Sequence, residues 1–180
     1  MEIKIFSDKK IIIRKIIKSD LKNIKKFQVF INSFLIEDAK LSINKKVTPN
    51  AQKEFLKKTL DGMRNKSKVY LVVESDNKII GASDIELLGQ RRNHIGSFGI
   101  AIKAGYRGVG LGKYLMSEII KLAKKELNPT PKIIQLEVYA NNKPAVSLYK
   151  KMGFKICAKL PKQVQWKGKL IPIFIMMHEI

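Results

Sequence analysis

Arg107-Gly108-Val109-Gly110-Leu111-Gly112 gathers a guanidinium and three glycines into six residues. Phe98-Gly99-Ile100-Ala101-Ile102 precedes it and reads as a buried strand. Leu111, Leu115, Ile119 and Leu122 follow at helical spacing, with Lys113, Lys121, Lys124 and Lys125 on the opposite face. Glycines at a strand-to-helix turn let backbone N–H groups point inward with no Cβ in the way. The helix N-terminus adds partial positive charge, so the stretch predicts an anion site for a phosphate-bearing ligand. The plainer alternative is a helix-entry turn whose glycines serve packing. A phosphate loop of the G-x-x-x-x-G-K-[ST] type is excluded, because no Gly-Lys-Ser/Thr occurs in the chain. A dinucleotide fingerprint fails too: Leu115 stands where its last glycine would fall.

The elements that hold this turn follow from the rest of the chain. Its 180 residues are read as a single domain, 1–180, long enough for a real core. Apolar content of 45% with 28% charged residues is that of a soluble globular protein. No apolar run approaches the ~18–20 residues that span a bilayer, so no membrane partner is expected. Met1-Glu2-Ile3-Lys4-Ile5-Phe6-Ser7-Asp8 lacks the apolar core of a signal peptide, and a cytoplasmic location is the expectation. One Cys excludes an internal disulfide framework, and two distant histidines offer no metal cluster, so no metal is expected.

Lys and Arg number 36 against 15 Asp and Glu, a net charge of +21. Residues 1–100 hold 21 basic and 11 acidic residues, and 101–180 hold 15 and 4, so the excess is spread and no basic tail exists. Such a field draws polyanions and acidic surfaces and repels polyamines. No zinc-finger spacing or aromatic RNA-binding signature accompanies it, so nucleic acid is not expected as a specific ligand. A lysine-rich composition bias accounts for the charge equally simply.

Residues 10–17 read as a first strand, and Ser19-Asp20 as the cap of a helix carrying Leu21, Ile24, Phe27, Val29, Phe30, Ile31 and Phe34. Thr48-Pro49 opens a second helix to about Leu60, with Phe55 and Leu56 inward. Residues 68–75 and 78–88 form a hairpin around Asp76-Asn77, followed by a strand near 95–102, the glycine turn and a helix to about Leu127. After Asn128-Pro129-Thr130-Pro131 come a strand at 133–139, a short helix at 142–152 closed by Gly153, and a hairpin of 156–166 and 170–178 around Lys167-Gly168. The order β-α-α-β-β-β-α-β-α-β-β is α/β of the α+β kind, a mixed, mostly antiparallel twisted sheet flanked by helices.

Arg107, Gly110 and Gly112 fit R-x-x-G-x-G, which resembles the coenzyme A pyrophosphate loop of the GNAT superfamily of N-acetyltransferases. One helix and one strand later, Leu136-Glu137-Val138-Tyr139-Ala140-Asn141-Asn142-Lys143-Pro144-Ala145-Val146-Ser147-Leu148-Tyr149-Lys150-Lys151-Met152-Gly153-Phe154 resembles that family's block L-E-V-x-x-x-N-x-x-A-x-x-L-Y-x-x-x-G-F. The element order matches as well, and the likeness is weakest over residues 1–65. The resemblance implies a GNAT fold and acetyl-CoA as cosubstrate. It gives the pyrophosphate to Arg107 and the backbone of Gly108, Val109, Gly110, Leu111 and Gly112. It gives the pantetheine arm to the backbone of Ile100, Ala101 and Ile102, with one N–H polarising the thioester carbonyl.

Asn142 matches a position that touches the pantetheine, and serves equally as an N-cap. Tyr149 matches the general acid, a phenol able to protonate the departing thiolate; its alternative is packing beside Leu148 and Met152. Glu137 is the candidate general base for the acceptor ammonium. It precedes Tyr149 by 12 positions, which resembles the ribosomal-protein alanine N-acetyltransferases. A strand carboxylate paired with Lys or Arg is the other reading, and Asp84 and Glu86 are rival bases.

Cys157 is expected to be a small buried hydrophobe. His94, beside Arg91 and Arg92, is either a surface residue or part of the substrate mouth, and Trp166 a core or hairpin anchor. Leu170-Ile171-Pro172-Ile173-Phe174 departs from the acidic residue many members carry here, and predicts a different acceptor wall or a blunted sheet edge. The resemblance thus implies acetyl transfer from acetyl-CoA to a primary amine by direct attack in a ternary complex. The acceptor is a protein or peptide amino group, acidic peptides included, or a small amine, and the chain a monomer or homodimer. From a different class, the alternative is a non-catalytic acyl-CoA sensor or a nucleic-acid-associated GNAT-like module.

Overall fold

The computed structural model describes residues 2–6 and 8–180; Met1 and Ser7, part of the N-terminal stretch read above, lie outside them. The strands are β1 (Glu2–Phe6), β2 (Lys9–Lys15), β3 (Lys68–Ser75), β4 (Lys78–Leu87), β5 (Ile95–Ile102), β6 (Ile133–Tyr139), β7 (Lys155–Trp166) and β8 (Lys169–Glu179). The helices are α1 (Ile24–Ile36), α2 (Pro49–Arg64), α3 (Leu111–Glu126) and α4 (Lys143–Lys151). One sheet runs β1-β2-β3-β4-β5-β6-β8-β7, and every neighbouring pair is antiparallel except β5 and β6. No helix among the described residues is long and apolar enough to cross a membrane.

The sheet is buried on both faces because β3 carries an unbroken apolar run from Val69 to Val73, whose side chains alternate between the two faces. In β3, Val69, Leu71 and Val73 face a core built with α3 and α4, around Leu115, Met116, Ile119 and Leu136. Tyr70 and Val72 face the other way, onto Phe27, Phe30 and Phe34 of α1 and Leu56 of α2. The predicted hairpin turns hold: Asp76 and Asn77 have φ of 49° and 60°, and Lys167 and Gly168 have 50° and 71°. Thr48 caps α2, its Oγ1 accepting from Ala51 N–H at 3.2 Å, with Pro49 in the first turn.

Several expectations need correction. The chain has an added strand, β1, paired to β2 in front of the predicted order. Ser19-Asp20 does not cap α1. Asp20 sits inside a 3-10 turn at Lys18–Lys22, where it accepts from Ile17 N–H at 2.8 Å and from both terminal nitrogens of Arg14 at 2.8 Å. This buried ion pair claims the carboxylate that would have capped the helix, and α1 begins later, at Ile24. Phe55 is 41% exposed and leans edge-on against Tyr70, leaving Leu56 as the buried residue. Cys157 is exposed, because β7 is an edge strand. β8 is paired on both sides from Ile173 to Met177; at Pro172, which lacks a donor, the register with β6 ends and β7 shifts register between Leu160 and Val164.

Candidate active site

β5 and β6 part company midway. Their parallel pairing covers only Ile95–Ser97 against Ile133–Gln135, after which β6 continues along β8 alone. The remainder of β5, to Ile102, keeps its bonds to β4 on one side and has an open edge on the other. Alternation decides which groups line that edge. Lys103 N–H donates to Ile80 O at 2.9 Å and Leu88 N–H to Ile95 O at 2.9 Å, so odd-numbered residues of β5 turn their backbone groups toward β4. The N–H and C=O groups of Phe98, Ile100 and Ile102 therefore face the opening. Those of Ala101 face β4, which separates it from Ile100 and Ile102 in the predicted backbone set.

The glycine turn closes the far end of this edge. Gly108 and Gly110 take φ of 79° and 87°, and a Cβ on either would meet nothing within 4 Å. Gly110 is the N-cap of α3, with no side-chain bond onto the helix end. Among the described residues no acceptor is paired with the N–H groups of Val109, Gly110, Leu111 or Gly112. The result is a row of free donors at a helix N-terminus, open to an anion of diphosphate size. Gly112 serves packing instead, since its own Cβ would lie 3.2 Å from Leu148 Cδ2, so α3 approaches α4 closely there. Arg107 flanks the turn, half exposed, with Nε donating to Ile102 O at 2.5 Å and Nη2 paired to Glu37 at 2.5 Å. Sequence reading missed Glu37; no local pattern ties a residue at the end of α1 to one 70 positions away. These donors and the open strand edge fit a ligand with a diphosphate at one end and amides along its length.

Tyr149 comes up from the α3 and α4 side. It is buried against Phe98, edge to face with ring centroids 6.2 Å apart, and against Phe154 at 6.1 Å. Burial pushes its phenol up to about 12, so it holds its proton throughout the neutral range. Glu137 points to the opposite face from Leu136 and Val138; it is exposed and has no ion-pair partner among the described residues. The two proton-transfer candidates thus flank the opening between β5 and β6 from opposite faces of the sheet. Asn142 stands at the N-cap of α4, yet its side chain makes no capping bond, and Val146 N–H donates to its main-chain oxygen at 3.0 Å. Its side chain is left available.

Two clefts open on the face that carries Glu137. One, of about 350 Å³, is lined by Asp84, Glu86, Ser97 and Gly99. Asp84 and Glu86 both pair with Lys68, at 3.1 and 2.8 Å. Burial raises the Asp84 carboxyl above its ordinary value, and Lys68 offsets this only in part. Burial alone would lower the Lys68 ammonium, but Asp84 and Glu86 together lift it above its ordinary value. The second cleft, of about 510 Å³, lies between the α1–α2 connection and the β7–β8 hairpin, with Trp166 in its wall. Trp166 Nε1 and Asn141 Oδ1 are buried without hydrogen-bond partners, an arrangement costing about 1–3 kcal/mol per group. His94 is at the closed end of the opening, its main-chain oxygen accepting from Lys132 and Ile133 N–H. Among the described residues no group of His, Cys, Asp and Glu is arranged to hold a metal ion.

The sheet parts at its parallel pair, and a glycine turn with unpaired N–H donors stands beside the parting. The chain belongs to the acetyltransferase (GNAT) family, whose model matches residues 36–154. A relative, the L-amino acid N-acetyltransferase AaaT of Escherichia coli (strain K12), is 30% identical over 107 residues, covering 59% of this chain and 65% of that protein. The chain spans 53% to 65% of the length of the curated relatives it matches. Among solved structures, a GNAT-family acetyltransferase from Streptococcus pneumoniae superposes with a TM-score of 0.81 at 27% identity, covering 94% of this chain and 99% of that one. The yncA protein of Salmonella typhimurium, solved with acetyl-CoA, shares the fold with a TM-score of 0.76 at 16% identity, covering 94% and 93%.

Proposed function

We propose that this chain is an N-acetyltransferase that moves an acetyl group from acetyl-CoA to a primary amine by direct attack in a ternary complex. The observation that carries the reading is the open edge of β5 running into a row of free N–H donors at the start of α3. Membership of a family of acetyltransferases supports it, as does the E. coli relative, named for N-acetylation of L-amino acids.

Val109, Gly110, Leu111 and Gly112 would hold the diphosphate through their N–H groups, with Arg107 and Gly108 shaping the turn. The N–H and C=O of Ile100 and the N–H of Ile102 supply backbone groups for the amides of the arm, Ile102 O being held by Arg107 Nε. Asn142 is available beside them. Acetyl-CoA supplies an activated thioester when bound. Glu137 takes a proton from the acceptor ammonium, directly or through water, since only the free amine has a lone pair to attack with. An N–H on the open edge of β5 donates toward the carbonyl oxygen, where negative charge gathers. Tyr149 keeps its phenol protonated and gives a hydrogen bond or proton to the thiolate sulfur as it leaves.

The test is thiol release from acetyl-CoA by the full chain across a panel of small amines, amino acids and peptides, alongside calorimetric binding of coenzyme A. Release with at least one amine, with an acetylated product by mass spectrometry, supports the reading. Tight cofactor binding with no release for any amine would replace it by the acyl-CoA sensor.

A further inference from the structure

We infer that β1 is a self-association edge: two copies of this chain pair their β1 strands antiparallel about a two-fold axis at Ile3, each Glu2 facing Lys4 of the other copy. The two ends of the sheet are finished differently. β7 carries the devices that stop a strand from pairing outward. Pro161 lacks a donor, the register with β8 breaks between Ile156 and Ala158 and again between Leu160 and Val164, and Lys155, Lys159 and Lys162 stand exposed along it. β1 has none of these. It pairs with β2 in unbroken register from Glu2↔Ile13 to Phe6↔Lys9, contains no proline, and its one lysine is answered by its own Glu2 at 3.0 Å. Its outer edge is a regular row of backbone donors and acceptors, with no strand beside it among the described residues.

The strand is also held in shape. On the face toward α3, Glu2 Oε2 accepts from the Tyr114 hydroxyl at 2.5 Å. Lys4 Nζ lies 5.4 Å from the centroid of that ring, and the Phe6 ring 5.8 Å from it. Alternation sends Ile3 and Ile5 to the other face, 50% and 75% exposed, with half-buried Ile12 paired to Ile3. An ordered edge with apolar side chains in solvent and nothing to blunt it favours a further strand.

The charges select a second copy as that strand, because Glu2-Ile3-Lys4 is its own complement. Side chains directly opposite in an antiparallel pair share a face, so an axis at Ile3 sets Glu2 opposite Lys4 twice and Ile3 opposite Ile3. Moving the axis to Lys4 would set the two ammonium groups against each other. Five residues make a small seam, so the association is concentration-dependent. Two chains of net charge +21 repel at long range, and the seam forms where salt screens that repulsion.

The experiment is sedimentation equilibrium of the full chain from about 1 μM to about 1 mM at about 0.15 M salt, with hydrogen exchange at both ends of the range. The native chain should rise toward twice its mass of 20.5 kDa, gaining amide protection in β1 and none in β7. Glu2→Lys or Lys4→Glu alone sets like charges opposite and should weaken dimerisation about tenfold or more. Mixed in equal amounts, the two variants set lysine opposite glutamate at both positions and should recover the dimer as a heterodimer. Glu2→Lys also loses the Tyr114 bond; should that variant not fold, Ile3→Lys, at an exposed side chain, carries the test by abolishing the dimer. A chain that stays at 20.5 kDa throughout, or a dimer without added protection in β1, overturns the inference. So does a mixture no tighter than either variant alone, or native-like dimerisation of Ile3→Lys.

Discussion

Glu37 and Arg107 meet across the sheet opening, Oε2 to Nη2 at 2.5 Å, and the same carboxylate accepts Ala104 N–H at 3.2 Å. Glu37 terminates α1, directly before the connection that walls the Trp166 cleft. One carboxylate therefore links the glycine turn, the proposed diphosphate site, to the wall of that cleft. On the proposed reading, a diphosphate entering the turn would compete with it for the guanidinium.

Arg107→Ala should weaken coenzyme A binding, and because the guanidinium is 49% exposed the loss should be modest, about 1 kcal/mol or roughly fivefold in Kd. Glu37→Gln should act in the opposite direction, freeing Arg107 for the phosphates. Calorimetry at low and high salt checks both, with the Arg107 effect shrinking as salt screens it. An unchanged Kd in Arg107→Ala would remove this residue from the site.

The glycines of the turn divide into two kinds, and substitution should separate them. Gly108→Ala and Gly110→Ala place a Cβ at positive φ, costing about 1–2 kcal/mol of stability each and weakening coenzyme A. Gly112→Ala meets no such strain but presses on Leu148, the neighbour of Tyr149 in α4. Its loss should appear in kcat, with coenzyme A affinity nearly kept. Thermal unfolding, calorimetry and steady-state rates on the three variants read the difference.

How far the sequence reaches is clear from these same residues. The glycine turn, the hairpins and the block from Leu136 to Phe154 are local patterns, where backbone conformation and hydrophobic period act over a few residues. Asp20 misled because its carboxylate is taken by Arg14 at the end of β2 and by Ile17 N–H, a choice between partners that residue type alone does not reveal. Glu37 and Lys68 went unnoticed for a different reason: each has meaning only through contacts 16 to 70 residues away. β1 was overlooked because Ile3 and Ile5 are exposed at a sheet edge and carry a weak pattern. The parting of β5 and β6, which opens the candidate site, is a register property with no residue signature of its own.

Glu137→Gln should lower kcat/KM by about 10²-fold, the usual scale for removing a general base. Asp84→Asn should behave differently, because Asp84 already shares the Lys68 ammonium with Glu86. Its loss leaves a buried cation with one half-exposed partner and should register first in the urea midpoint. If Asp84→Asn instead removes activity with stability intact while Glu137→Gln is silent, the base assignment moves to Asp84.

Tyr149→Phe should cut kcat by about 10²-fold or more, with coenzyme A affinity unchanged, since the ring stays and only the proton donor goes. Because the phenol keeps its proton to about pH 12, no loss of activity between pH 7 and 9 should trace to Tyr149. A rate left intact by the substitution would reduce this residue to a packing role against Phe98 and Phe154.

The same phenol makes a separate claim on alkaline stability. Its ordinary value of 10.0 applies in the unfolded chain and about 12 in the folded one, so between these pH values the unfolded state releases a proton that the native state retains. Native Tyr149 thus stabilises fully below pH 10, and that contribution is lost as pH rises through about 12, on the order of 2–3 kcal/mol in all. Tyr70, fully buried and raised in the same sense, adds to the fall. Urea unfolding of the native sequence and of Tyr149→Phe at a series of pH values isolates this contribution, because lysine titration is common to both. The stability gap between them should close by that amount between pH 9 and 12, and Tyr70→Phe should show a gap closing in the same direction. Parallel curves would mean that the Tyr149 hydroxyl ionises as freely in the native protein as in water, and its assignment as a proton-holding acid would go with them.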